Sequence, residues 1–256
     1  MILVDTHTHL YLEQFDEDRT EIVESAIEEG VQWMLLPNID SDSLEAMKKL
    51  HQEFPQNCLP MMGLHPTSVK ENYEEELTLV EKELLSGNYI AVGEIGIDLY
   101  WDKTHAAQQK DAFRRQLKMA KKYKLPVSIH IRDSFELAYQ IVKEESTNGL
   151  RGIFHCFTGT KEESKLIMDI GFKMGIGGIV TFKNSGLAEV VKNIPNEFLV
   201  LETDAPFLTP APFRGKRNQS AYLKYIAEKL AEIKSKSIEE IAEITTRNTM
   251  DIFNIN

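Results

Sequence analysis

The chain has 256 residues, 42% of them hydrophobic, enough for one large core and close to the size at which single α/β barrels occur. Its net charge of −11 excludes a broad polyanion-binding surface, because non-specific nucleic-acid affinity comes largely from Lys and Arg neutralising phosphates, but it leaves room for an enzyme whose bound metals supply positive charge locally. There is no basic-plus-apolar leader and no run of about 18 apolar residues, and two cysteines, Cys58 and Cys156, fit a reducing compartment. The expectation is one cytoplasmic domain over 1–256.

The chain opens on an apolar strand, Ile2-Leu3-Val4-Asp5, that runs into Thr6-His7-Thr8-His9. Strand alternation would put Asp5, His7 and His9 on one face, where two imidazoles can bite one divalent ion if other ligands converge on them. A helix is expected over 16–30, with acids in its first turn, an Ile22, Ala26 and Ile27 stripe and Gly30 as cap. A buried strand follows at 31–36, then a helix opened by Ser41 with Leu44, Met47, Leu50 and Phe54 along one face. Further strands are expected at 59–62, 89–93 and 127–131, separated by helices near 74–85 and 105–123, the latter stopped before Pro126.

The second half repeats the pattern. Asp133 is expected to cap a helix to about 145, and strands are expected at 152–154, 172–176 and 198–201. Helices fall at 161–170 and 184–193, and two more close the chain near 219–233 and 238–253. Apolar runs each followed by a helix are what a parallel sheet buried on both faces requires, and eight such units predict an α/β fold, a single (β/α)8 TIM barrel with an extra C-terminal helix. An open doubly wound sheet is disfavoured, since no Gly-x-Gly-x-x-Gly follows the first strand.

Barrel enzymes work at the C-terminal ends of their strands. Those ends carry His7 and His9, Glu94, His130, His155 and Asp204, so four of the seven histidines fall where apolar strands stop. Each alone has a structural reading: a satisfied core histidine, an ion-paired acid, or a cap for the turn at Ala205-Pro206. Together they read as a metal site, and six donors exceed the needs of one tetrahedral ion that keeps a position open for water. Two divalent ions are therefore expected, with Glu94 the best bridging carboxylate and metal-assisted hydrolysis the reaction class. The ligand set suits Zn²⁺, Mn²⁺ or Co²⁺, with Mg²⁺ a further candidate because nucleases commonly use it.

Six ordered segments then carry a resemblance. Asp5-Thr6-His7-Thr8-His9-Leu10, Gly63-Leu64-His65-Pro66, Gly93-Glu94-Ile95-Gly96-Ile97-Asp98, His130-Ile131-Arg132, Phe154-His155-Cys156-Phe157-Thr158-Gly159 and Leu201-Glu202-Thr203-Asp204-Ala205-Pro206 resemble the motifs of the TatD family of metal-dependent deoxyribonucleases, within the amidohydrolase-like barrels. The resemblance spans essentially the whole chain. It implies hydrolysis of DNA phosphodiester bonds, exonucleolytic and 3′ to 5′; the acidic charge balance makes weak, transient binding of DNA the expectation, with no membrane or obligate protein partner. The resemblance also implies His7, His9, Glu94 and Asp204 around one ion, and Glu94, His130 and His155 around the other. Asp204 and Glu94 are the catalytic candidates, Asp204 as the group that orients and deprotonates the water.

Substrate-binding candidates are His65, in its Gly-Leu-His-Pro loop, and Arg214 and Arg217 in the loop after the last strand. Where the family usually reads Asn-Glu-Pro, the chain has Asn218-Gln219-Ser220. Glu202 and Asp5 are candidates to orient ligand imidazoles, and Arg132 to pair with either. Trp33 and Trp101 read first as packing, although Tyr100 and Trp101 follow Glu94 closely enough to stack on an unpaired base. His51 and His105 read as structural, and Gly175, Gly177 and Gly178 as relief of crowding. The competing readings are a barrel hydrolase of a small amide, lactone or phosphoester, many of which use a modified lysine where this chain has Glu94, and a metal-binding scaffold without catalysis.

Overall fold

A computed structural model of the protein describes residues 1–146 and 149–255. Eight parallel strands succeed one another in chain order: β1 (Leu3–Asp5), β2 (Val31–Pro37), β3 (Cys58–Met62), β4 (Ala91–Asp98), β5 (Val127–Arg132), β6 (Gly152–Phe154), β7 (Lys173–Ile176) and β8 (Leu199–Leu201). The Thr6 N–H and hydroxyl both donate to the Leu201 carbonyl at 3.0 Å, bringing the last strand back to the first. The helices between them are α1 (Arg19–Glu28), α2 (Ser41–Glu53), α3 (Tyr73–Leu85), α4 (Ala106–Tyr123), α5 (Phe135–Glu145), α6 (Lys161–Asp169), α7 (Leu187–Val191) and α8 (Leu223–Lys234), and α9 (Ile238–Phe253) is the extra helix. This is the (β/α)8 TIM barrel expected from the alternation.

The apolar residues form two layers. The larger one lies between the strands and the surrounding helices. A smaller one fills the barrel interior, where Val4, Leu35, Met61, Ala91, Ile153 and Val200 pack against Ile252, Phe253 and Ile255 at the end of α9. Alternation explains the split, since Leu3 joins the outer layer and Val4 the inner one. The inner end is plugged by α9, so the cavity opens at the opposite, C-terminal ends of the strands. No helix among the described residues is long and apolar enough to cross a membrane.

Four local expectations change. First, β1 stops at Asp5, so a turn and not the pleat carries His7 and His9, and the strand argument for grouping Asp5 with them does not hold. Second, β4 runs on to Asp98 with every residue buried, so Glu94 lies within the strand and not at its end; buried imidazoles compensate the acid that had suggested a strand terminus. Third, Asp40 caps α2, in a reciprocal arrangement with Ser43, while Asp133 adopts a left-handed conformation (φ 52°) and Ser134 precedes α5. Fourth, the seventh helix is shorter than expected, five residues beginning after the left-handed Gly186.

Two glycines are required by close approach. A Cβ on Gly96 would stand 1.9 Å from the His130 carbonyl oxygen, so β4 and β5 could not pair at the site. One on Gly175 would stand 2.0 Å from Glu202 Oε2 and displace that carboxylate, which agrees with the reading of Gly175 as relief of crowding.

Candidate metal centre

Glu94 is the hub. It is 2% exposed, and its two oxygens face different partners. Oε2 lies 3.0 Å from His7 Nε2 and 3.6 Å from His9 Nε2, while Oε1 lies 2.8 Å from His130 Nδ1, 2.8 Å from His155 Nε2 and 3.3 Å from His65 Nε2. Asp204 Oδ1 completes the first side, 3.6 Å from His9 Nε2 and 4.0 Å from His7 Nε2. All six sequence-predicted ligands are thus brought together, and His65 joins them.

Four of the five imidazoles are aimed by a hydrogen bond at the second nitrogen, and that of His155 faces a carboxylate. His7 Nδ1 meets the Ser128 hydroxyl at 3.2 Å, and His9 Nδ1 meets the Tyr11 hydroxyl at 2.9 Å, which itself donates to the Pro37 carbonyl at 2.5 Å. His130 Nε2 lies 3.0 Å from Asp98 Oδ2, His155 Nδ1 lies 3.5 Å from Glu202 Oε1, and His65 Nδ1 lies 2.6 Å from the Thr67 hydroxyl. Such partners fix ring orientation and raise ligand basicity. Ser128, Tyr11 and Asp98 were not found from the sequence, yet for two of them a signal was present: Ser128 stands two residues from His130 on β5 and Asp98 four from Glu94 on β4, the even spacing that returns a side chain to one strand face, whereas Tyr11 lies in the turn after β1.

Glu202 stands within ion-pair distance of the His155 ring without a hydrogen bond to it, and its carboxylate accepts from the Cys156 N–H. Asp5 does not orient a ligand ring. It accepts from the Thr203 N–H (2.9 Å) and hydroxyl (2.6 Å) and from the Ser220 hydroxyl (2.7 Å), so it fixes the turn that presents Asp204. Ser220, at the departure from the family pattern, therefore has a bonding role. Arg132 pairs with neither acid; its guanidinium carbon is 3.8 Å from the Tyr100 ring centroid.

Arg214 and Arg217 are engaged elsewhere and do not line the cavity. Arg214 donates to the Thr209 carbonyl at 3.0 Å and stacks on Phe182, and Arg217 pairs with Asp18 at 2.5 Å and lies over Phe15. His65 does line it. The cavity, about 630 Å³, is bounded by His9, His65, Glu94, His130, His155 and Asp204 together with Trp101, Arg132 and Phe207.

Burial and mutual charge set the pKa directions across this cluster. Burial pushes His7 down to about 4 and His9 well below the usual histidine range, so both are neutral ligands at pH 7. Burial also opposes charge on His130 and His155, yet Asp98 and Glu94 raise His130, and Glu94 and Glu202 hold His155 well above the usual value. Burial alone would raise Glu94, but the surrounding imidazoles of His65, His155 and His7 hold it well below the usual carboxylate range. Burial pushes Asp204 up to about 8. Crowding of five imidazoles and two acids within this space matches the donor set of a divalent-metal centre. Three overlapping groups have ligand atoms close enough to share an ion: His7, His9 and Glu94; His7, His155 and Asp204; and His65, Glu94 and His130.

Comparison with known proteins identifies the family. The family model described as TatD related DNase matches residues 4–254. An uncharacterized metal-dependent hydrolase of Bacillus subtilis (strain 168), YabD, is 42% identical over the full length of both chains. A protein of Rahnella sp. (strain Y9602) named 3′-5′ ssDNA/RNA exonuclease TatD is 34% identical over 247 residues, covering 94% of each. Among solved structures, a TatD homologue of Escherichia coli K12 superposes with a TM-score of 0.93 at 27% identity, covering 99% of this chain and 98% of that one.

Proposed function

Since the chain belongs to the TatD family of metal-dependent hydrolases, we propose that it hydrolyses DNA phosphodiester bonds as a 3′ to 5′ exonuclease through two divalent ions held on either side of Glu94. The observation that carries this reading is the division of labour between the Glu94 oxygens: one faces His7 and His9 and the other His65, His130 and His155, as a bridging carboxylate would. His7, His9, Glu94 and Asp204 would hold one ion, and Glu94, His130 and His155 the other. Zn²⁺, Mn²⁺, Mg²⁺ and Co²⁺ are the candidates. When bound, a pair of such ions polarises a water molecule and neutralises charge building on the phosphoryl oxygens.

The chain's own residues supply the rest. Asp204 lies at the cavity wall, 3.6 Å from His9 Nε2, and its side chain makes no hydrogen bond among the described residues. It is the group to orient the attacking water and accept its proton. His65, on the wall beside Glu94, is suited to donate to a phosphate oxygen, with Thr67 fixing its ring. Asp98, Glu202, Ser128 and Tyr11 hold the other rings in place. With a net charge of −11, DNA binding is weak and local.

The test is elemental analysis of the purified protein followed by degradation of end-labelled single- and double-stranded DNA, with and without chelator. Stoichiometric metal and chelator-sensitive shortening from the 3′ end are expected. Absence of metal, or DNA left intact with every divalent ion tried, would move the assignment to a hydrolase of small amide, lactone or phosphoester substrates.

A further inference from the structure

We infer that Trp101, braced by Tyr100 and Arg132, is a subsite that stacks on one unpaired nucleobase of the strand being cut; the assignment rests on the nuclease reading above and specifies how its substrate is recognised.

Trp101 and Tyr100 are 72% and 51% exposed, unusual for large aromatic rings, and they follow β4 directly. Their rings stand perpendicular, with centroids 4.8 Å apart. The Arg132 guanidinium carbon is 3.8 Å from the Tyr100 centroid and 5.2 Å from that of Trp101. No carboxylate among the described residues lies within ion-pair distance of Arg132, although the chain carries 40 acids against 29 Lys and Arg. An uncompensated cation clasped by exposed aromatic rings is thus left in an otherwise acidic molecule.

This cluster is continuous with the reaction site. Trp101 and Arg132 line the same cavity as Glu94, His130 and Asp204. Asp98 ties the two together, for its Oδ1 accepts the Tyr100 N–H at 2.9 Å while its Oδ2 faces His130 Nε2 at 3.0 Å. The loop bearing the rings is therefore held in fixed relation to the metal centre. A π-face receives any base without reading its edge, and a guanidinium beside it adds a cation for the base or the adjoining phosphate. Inside a duplex both faces of each base are covered by its neighbours, so the platform serves a single strand or a strand end.

The test compares wild type, Trp101→Ala and Trp101→Phe, each metal-loaded, on an end-labelled single-stranded oligonucleotide and on versions in which each terminal nucleotide in turn is abasic. Wild type should lose about 5- to 100-fold in kcat/KM when the stacked base is removed. Trp101→Ala should show that loss on the normal strand, through KM, with no further loss at that abasic position, and Trp101→Phe should recover most of it. The subsite is overturned by Trp101→Ala acting like wild type on the normal strand, or by its loss adding in full to the abasic loss. Wild type that cuts none of these strands with any divalent ion overturns the nuclease reading and the subsite with it, a result distinct from cleavage that ignores Trp101.

Discussion

Replacing Asp204 by Asn separates chemistry from folding in a single atom. The residue is left-handed, φ 57°, a conformation Asn adopts readily. Its backbone bonds, N–H to the His7 carbonyl at 2.9 Å and carbonyl to the Phe207 N–H at 2.8 Å, do not depend on the side chain. Burial pushes the carboxyl up to about 8, so at pH 7 the metal-free protein already holds it mostly neutral, and the amide replaces one neutral group by another of equal shape. Metal-free stability should therefore change by less than about 1 kcal/mol, a shift of at most a few degrees in Tm. Turnover should fall about 10²- to 10⁴-fold, the range for loss of a positioned proton acceptor, and further if the ion beside His9 binds less tightly. The assay is hydrolysis of end-labelled single-stranded DNA at saturating metal, with metal content and Tm measured on the same preparation. A near wild-type rate with metal loaded would refute the role given to Asp204, and a Tm loss of ten degrees or more would refute the claim that the residue serves chemistry and not the fold.

Glu94→Gln removes the charge that faces both histidine sets, so content of both ions should drop together by elemental analysis, whereas His9→Ala should deplete one ion more than the other. Asp98→Asn, which weakens the hold on His130, should cost about 10- to 100-fold in metal affinity or activity, read by metal titration. Asp204, pushed up to about 8, must lose a proton to act as a ligand, and the raised values of His130 and His155 act in the same direction. Metal loading should therefore release protons, and affinity should fall as pH drops below about 8, by about tenfold per unit for each proton displaced; calorimetry in buffers of different ionisation enthalpy counts them. Ser220→Ala removes one of the hydroxyls bonded to buried Asp5 and should lower stability by about 1–3 kcal/mol in thermal denaturation, with metal content unchanged.

The sequence by itself determined the barrel, because apolar runs alternating with amphipathic segments can be buried in few ways, and it determined the six metal-ligand candidates, because strand ends are where a barrel keeps its polar side chains. It also contained the exposed Tyr100-Trp101 pair without saying what stood beside it. Tertiary structure decided what depends on long-range contact. Glu94 sits inside a strand because imidazoles from β5, from the turn after β1 and from the segments after β3 and β6 surround it, a compensation no local pattern announces. Asp5 and Ser220, 215 positions apart, meet only when the barrel closes, and so Asp5 serves the Asp204 turn and not a ligand ring. Arg214 is engaged by Phe182 and Arg217 by Asp18 and Phe15, whereas no carboxylate among the described residues pairs with Arg132 at the cavity wall. Spacing along the chain reports which face a side chain takes; only the closed fold reports which charges find partners.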